Sequence, residues 1–284
     1  MPGALLEWYA GEGRDLPWRR AETDPWGVLV SEVMLQQTPV ARVIPAYMSW
    51  LQRWPTPSAL AADSCGEAVR MWGRLGYPRR ALRLHECAVI IMERHRGEVP
   101  RDLPALLALP GVGSYTARAV ATFGYGLRHA VVDVNVRRVA GRIVRGEGRP
   151  GTAAGDLTLV EPLLPADPLT AARFSAALME LGALLCTARA PRCAACPVTA
   201  WCAWRQAGYP VPTSPAPVPQ GYAGTDRQVR GLLLAVLRST DGPVPAAALD
   251  VVWADAAQRT RALATLVSDG LVDPLADGTY ALPS

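Results

Sequence analysis

Not one of the 284 residues is lysine. All 29 fixed cationic side chains are therefore arginine, a planar fork donor suited to carboxylates, phosphates and base edges. This absence excludes any mechanism that needs a lysine Schiff base. Long uncharged apolar runs are missing too, although 50% of the residues are hydrophobic, so no membrane-spanning segment is expected. The opening MPGALLEWYAGEGR has no basic stretch ahead of an apolar one. The expectation is an unexported, cytoplasmic chain with no membrane association.

What is present points to one large unit and a small appendage. The net charge of +4 permits a nucleic-acid partner without demanding one. Residues 1 to about 207 read as helical, with apolar periodicity over Ser58–Leu75, Arg80–Arg94 and Ala171–Leu185 and no run of alternating strands. Pro210, Pro212, Pro215, Pro217 and Pro219 then forbid a helix and predict an extended linker over 208–223. Beyond it, residues 224–284 predict three helices followed by a hairpin around Ala276-Asp277-Gly278, the order of a winged helix. Such a module can touch DNA or a protein, or simply pack against the main body.

Cys186, Cys193, Cys196 and Cys202 crowd into one segment, while Cys65 and Cys87 stand alone. In a chain with no export signal, clustered thiols are more often ligands than disulfides. Four thiolates suit either zinc or a [4Fe-4S] cluster, and Arg189 and Arg192 on the same loop could meet phosphates. Upstream, LPALLALPGVGSYTARAVATFG reads as a helix, a tight Pro110–Gly113 turn and a second helix opening at Ser114. Gly111 and Gly113 let a phosphate approach the backbone, and the free N–H groups from Ser114 onward can bind that anion whatever the base sequence.

Taken together, LPWR at 16–19, SEVMLQQT at 31–38, GRLGY at 73–77, LPGVGSYTA at 109–117, VVDVNVRRV at 131–139 and the cysteine run resemble the helix-hairpin-helix glycosylases of the endonuclease III superfamily, and within them the MutY adenine glycosylases. The resemblance covers residues 4 to about 207. It implies an all-α catalytic region over 1–207, with a six-helix barrel at 24–135 and a cluster domain built from 1–23 and 136–207, two lobes that clamp double-stranded DNA. It further implies a [4Fe-4S] cluster on the four cysteines and a monomer that removes adenine mispaired with 8-oxoguanine or guanine.

The resemblance also implies roles for single residues. Adenine leaves poorly as an anion, so cleavage needs a proton donor to the base and an anion beside the sugar. Glu32, in a stretch apolar nearly all round, would be the acid; Asp133, by position also a helix N-cap, would stabilise the oxocarbenium ion. Linear sequence does not bring the two together, and only the shared fold implies that they meet. Tyr115 stands where bifunctional relatives carry the catalytic lysine, and Asn135 would hydrogen-bond nearby. Gln37 and Tyr77 match the residues that wedge into the stack when a base is flipped out. Trp18, Arg19 and Leu35 match the lining of the adenine pocket.

Two positions depart from the pattern: Pro78 replaces a second tyrosine, and Ala176 stands where many relatives place Gln or Glu. The C-terminal piece is too short and too helical for the Nudix-like domain by which relatives detect 8-oxoguanine. A thymine or uracil mismatch glycosylase and a non-catalytic iron-sulfur DNA-binding or redox-sensing protein are the rival expectations.

Overall fold

The structure, a computed structural model, describes residues 1–148, 155–210 and 221–284. The predicted linker prolines Pro212, Pro215, Pro217 and Pro219 lie outside the described residues. Along the chain run α1 (Pro2–Glu12), α2 (Pro25–Leu35), α3 (Val40–Arg53), α4 (Pro57–Ala61), α5 (Cys65–Trp72) and α6 (Arg79–His95). There follow α7 (Leu103–Leu107), α8 (Ser114–Ala119), α9 (Val134–Ala140), α10 (Asp156–Val160), α11 (Pro168–Leu184) and α12 (Ala203–Gln206). The last segment holds α13 (Asp226–Ser239), β1 (Val244–Pro245), α14 (Ala246–Asp250), α15 (Ala256–Ser268), β2 (Asp273–Pro274) and β3 (Thr279–Ala281). Among the described residues no helix is long and apolar enough to cross a membrane.

Two compact units emerge. The first comprises residues 1–28, 101–107 and 112–217; the second comprises 29–100, 108–111 and 218–284. In the first, α11 is the central element. Asp167 caps it by accepting from Thr170 N at 2.8 Å, and Pro168 occupies the first helical position, where its missing N–H costs nothing. Phe174, Leu178 and Leu181 of α11 share a core with Val136, Val139 and Ala140 of α9 and Leu5 of α1.

The second unit is built around tryptophans. Trp50 meets Trp54 and Trp72 edge to face, with centroids 4.6 and 5.6 Å apart. Truncating such a residue costs about 3–5 kcal/mol. Helix α6 buries Ala81, Leu84, Ala88 and Ile91 at helical spacing and packs on α4 and α5. The periodic stretch Ser58–Leu75 is not one helix: it divides into α4 and α5. Ser64 accepts from Glu67 N at 3.2 Å while its own N–H goes to Asp63 at 2.8 Å, so a new N-terminus outcompetes continuation.

Residues 221–284 fold as the sequence predicts, with three helices and a β2–β3 hairpin. One element was not anticipated: β1 pairs with β3, giving an antiparallel sheet in the order β1-β3-β2 with Val244 opposite Tyr280 and Asp273 opposite Ala281. Two residues, one of them proline at a sheet edge, carry too little pattern to announce a strand. The result is an all-α protein with a small winged-helix module.

Candidate active site and metal centre

Asp133 caps α9, the element that begins VNVRRVA. One oxygen accepts from Val136 N at 2.7 Å and the other from Asn135 Nδ2 at 2.8 Å, so each lone-pair face of this half-buried carboxylate meets an N–H donor. Asn135 is held in turn by Arg138, whose Nη2 donates to Asn135 Oδ1 at 2.7 Å and to Gly182 O at 2.8 Å. The two helices touch here. A Cβ on Gly182 would lie 2.6 Å from Asn135 Cβ and 3.0 Å from Asn135 O, so only glycine fits. Arg138 Nε reaches on to Cys186 O at 2.7 Å, joining the Asp133–Asn135 pair to the cysteine loop. Tyr115, half-buried in α8, packs against the same core.

Trp18 is buried in the single turn Pro17–Arg19. Arg19 donates to Glu180 Oε2 at 2.7 Å, and Arg14 grips the same carboxylate through Nε and Nη2, the latter at 2.9 Å. Burial alone would push the Glu180 carboxyl up, but the hydrogen bonds and charges of Arg14 and Arg19 outweigh it and hold it below the ordinary carboxylate range. Sequence reading missed Glu180. It lies 161 positions from Arg19 and among apolar letters, so no local pattern signals the triad. Ala176, on the same helix, is buried.

Cys186, Cys193, Cys196 and Cys202 all line one apolar cavity of about 390 Å³, open mouth included, together with Val139, Leu181 and Trp204. Among the described residues, no three His, Cys, Asp or Glu side chains come close enough to hold a single metal ion. Arg142, buried and stacked 4.4 Å over the Trp204 ring, donates to Cys186 Sγ at 3.2 Å and to Thr187 O at 2.8 Å. Burial raises the Cys186 thiol, partly opposed by Arg142, and burial pushes Cys196 up to about 11. Arg189 and Arg192 are exposed on this loop, although Arg192 Nη2 donates to Leu184 O at 2.8 Å and so also caps α11.

In the second unit, Glu32 is 6% exposed on α2, flanked by buried Ser31, Val33 and Met34. Leu35 is half-buried at the helix end. Gln37 and Tyr77 are exposed and share an uncommon backbone, with φ of +54° and +47°. Left-handed geometry is costly for a non-glycine residue and persists where its surroundings enforce it. Arg80 is what enforces it, and the sequence did not announce it. Its Nη1 donates to Val33 O, Met34 O and Gln36 O at 2.8, 3.0 and 2.6 Å, and its Nη2 to Thr38 Oγ1 and Gly76 O, both at 3.0 Å. One guanidinium thus holds the carbonyl immediately before Gln37 and the carbonyl immediately before Tyr77. Trp72 Nε1 adds a second bond to Gly76 O at 2.9 Å.

The α7–α8 connection has the predicted form. Gly111 takes φ +76°, Gly113 precedes α8 with open space where a Cβ would stand, and Gly113 and Ser114 are exposed.

These features have counterparts in known proteins. Residues 30–162 match the family described as HhH-GPD superfamily base excision DNA repair protein. An adenine DNA glycosylase of Mycolicibacterium smegmatis is 57% identical over 282 residues, covering 99% of this chain and 95% of that one. The human adenine DNA glycosylase is 44% identical over 219 residues, covering 72% of this chain and 39% of the human protein. A solved thermostable thymine-DNA glycosylase superposes with a TM-score of 0.65 at 28% identity, covering 72% of this chain and 95% of the other. Likeness of this extent, running nearly end to end in the mycobacterial relative and including the cysteine loop and the hairpin turn, places the chain in the adenine DNA glycosylase family of the helix-hairpin-helix base excision repair proteins.

Proposed function

We propose that the protein hydrolyses the N-glycosidic bond of adenine mispaired with 8-oxoguanine or guanine in double-stranded DNA, leaving an abasic site without cutting the strand. The observation that carries this reading is Asp133, a carboxylate fixed by one donor on each oxygen, Val136 N and Asn135 Nδ2. Preorganised this way, an anion stabilises a cation growing on the sugar without reorganising as charge develops. Glu32 protonates the departing base. Tyr115 supports Asp133 in the place of a nucleophilic lysine, and a chain with no lysine has no side-chain amine for β-elimination.

Gln37 and Tyr77 act as the wedge that fills the stack when adenine leaves it, consistent with their exposure and enforced backbone. Trp18, Arg19 and Leu35 line the base pocket. Gly111, Gly113 and Ser114 hold a phosphate through backbone N–H groups, and Arg189 and Arg192 contact further phosphates. Catalysis belongs to residues 1–207 and is carried out by a cytoplasmic monomer.

Cys186, Cys193, Cys196 and Cys202 hold a [4Fe-4S] cluster in this reading. Two features of the donor set fit: the four thiols share one cavity, and Arg142 offers Cys186 Sγ a charge-assisted bond suited to a thiolate. When bound, the cluster supplies no step of the hydrolysis and fastens the Arg189–Arg192 loop to α9 and α11.

Duplexes carrying A opposite 8-oxoguanine, A opposite G, T opposite G and U opposite G test this, each incubated with and without alkali. Alkali-dependent cleavage at adenine alone is the expected result. Cleavage at thymine or uracil instead would transfer the assignment to the thymine-directed relatives.

A further inference from the structure

The winged-helix module has no part in the chemistry above, and its composition argues against a second DNA-reading surface. Residues 224–284 contain five arginines and seven aspartates, net −2 in a chain of +4. The arginines of α15, the helix that in such folds would enter a groove, are engaged inside the module. Arg259 donates to Asp250 at 3.0 Å and to Trp253 O; Arg261 makes a forked pair with Asp226 at 2.9 and 3.0 Å.

What the module does instead is grip the helices on either side of the Tyr77 turn. At the C-terminal end of α5, Arg238 of α13 donates to Val69 O at 2.8 Å and to Gly73 O. Arg70 of α5 answers it: its Nη1 donates to Arg238 O and, at 3.0 Å, to Thr240 O. Each arginine thus caps the carbonyl end of the other's helix, where the macrodipole is negative. Among the described residues Arg238 has only carbonyl acceptors for this, and its Nη2 is buried without a partner. A guanidinium kept at that cost is fixing backbone.

The other end of α5 is held as well. A Cβ on Gly66 would collide with Pro283 O, so the residues before Ser284 lie flush on the first turn, and Cys65 Sγ donates to Ser284 O at 3.4 Å. Beyond the turn, Arg79 at the start of α6 pairs with Asp269 at 3.2 Å, and Arg230 of α13 holds the same carboxylate. The segment from Gly73 to Arg79 is therefore tied to the module at both of its ends, and Tyr77 lies between them.

We propose that the winged-helix module is an intramolecular brace that fixes the Gly73–Arg79 turn, and so presents Tyr77 for base extrusion, with no DNA contact of its own. The inference rests on the reading of Tyr77 as a wedge. Its test uses the full-length protein and a duplex with 2-aminopurine opposite 8-oxoguanine, whose fluorescence rises on extrusion. Tyr77→Ala should slow the rise at least tenfold; if it does not, the wedge reading fails and takes the brace with it. Given that effect, Arg238→Gln should slow extrusion several-fold, speed amide hydrogen exchange across 73–79, and add nothing in the Tyr77→Ala background. Wild-type extrusion and exchange in Arg238→Gln would overturn the brace while leaving the wedge intact.

Should Arg238→Gln fail to fold, Asp269→Asn and Gly66→Ala address the same turn from its other attachments, and the same readouts decide. Arg227→Ala with Arg261→Ala should leave the slope of log affinity against log salt unchanged. A slope flattened by about one for each arginine removed would overturn the brace in favour of a DNA-binding wing.

Discussion

The two units show two ways of burying charge, by ion pair and by backbone carbonyl. In the first, a carboxylate goes inside: Glu180 is fully buried and two guanidiniums reach in to neutralise it from partly exposed positions. Guanidiniums go inside too: Arg142 of the first unit is buried among carbonyls and the Cys186 thiol, and in the second unit Arg80 and Arg238 are largely buried and meet carbonyl and hydroxyl oxygens rather than carboxylates. Burial lowers Arg80 and Arg238 to about 10, still well above neutral pH, so they stay charged. A buried acid with two cations is an electrostatic unit. A buried cation among carbonyls is a mechanical one, because its fork points at backbone that has no other way to close. A chain in which every fixed cation is a fork donor is well supplied for the second use.

The comparison breaks most visibly at Asp133, another acid that the first unit fixes with N–H donors. Asp133→Asn keeps the shape and removes the charge, and should cut adenine excision about a thousandfold while leaving duplex binding within a few-fold. Single-turnover kinetics beside a binding titration measure both. Near-normal turnover would mean that Asp133, like Glu180, is structural.

Next in size is Glu180→Gln, which strands two arginines and should cost about 2 kcal/mol, the low end for a broken buried pair because both partners still reach solvent. The pH dependence carries a definite sign. The folded pKa lies below the unfolded value of about 4.3, so the stabilisation is complete above that value and is lost as pH falls through the folded pKa. Melting curves between pH 7 and 3 should show the parent losing stability faster than Glu180→Gln on acidification; parallel curves would remove Glu180 from the acid response.

The smallest expected effect sharpens the mechanical half. Arg80→Lys keeps the charge but cannot span five acceptors, and should cost about 1–2 kcal/mol, while exchange of the amides of Gln37 and Tyr77 accelerates. If lysine serves as well as arginine there, charge and not the fork is what holds the two turns.

How much of this was legible follows the range of the interactions. Asp133 as a cap, the Gly111–Gly113 turn, the cysteine run and the three helices with a hairpin after residue 224 are local patterns, and each appears where the letters place it. The break at Ser64 was local too, but the apolar periodicity on either side masked it. Arg80, Arg138, Arg238 and Glu180 were not readable. Their partners are carbonyls or charges up to 169 positions away, and an arginine aimed at a distant carbonyl looks in sequence like any solvated one. Glu32 and Asp133 were singled out by family likeness, with only the apolar surroundings of the first and the capping position of the second as physical signatures of their own.

The contact between Gly182 and Asn135 sets a dimensional tolerance. One hydrogen atom is the whole shim between α9 and α11 at that point, so the gap that seats Asn135 beside Asp133 leaves almost no slack. The accuracy of the candidate catalytic carboxylate is thereby assigned to a residue on another helix that bears no functional group at all.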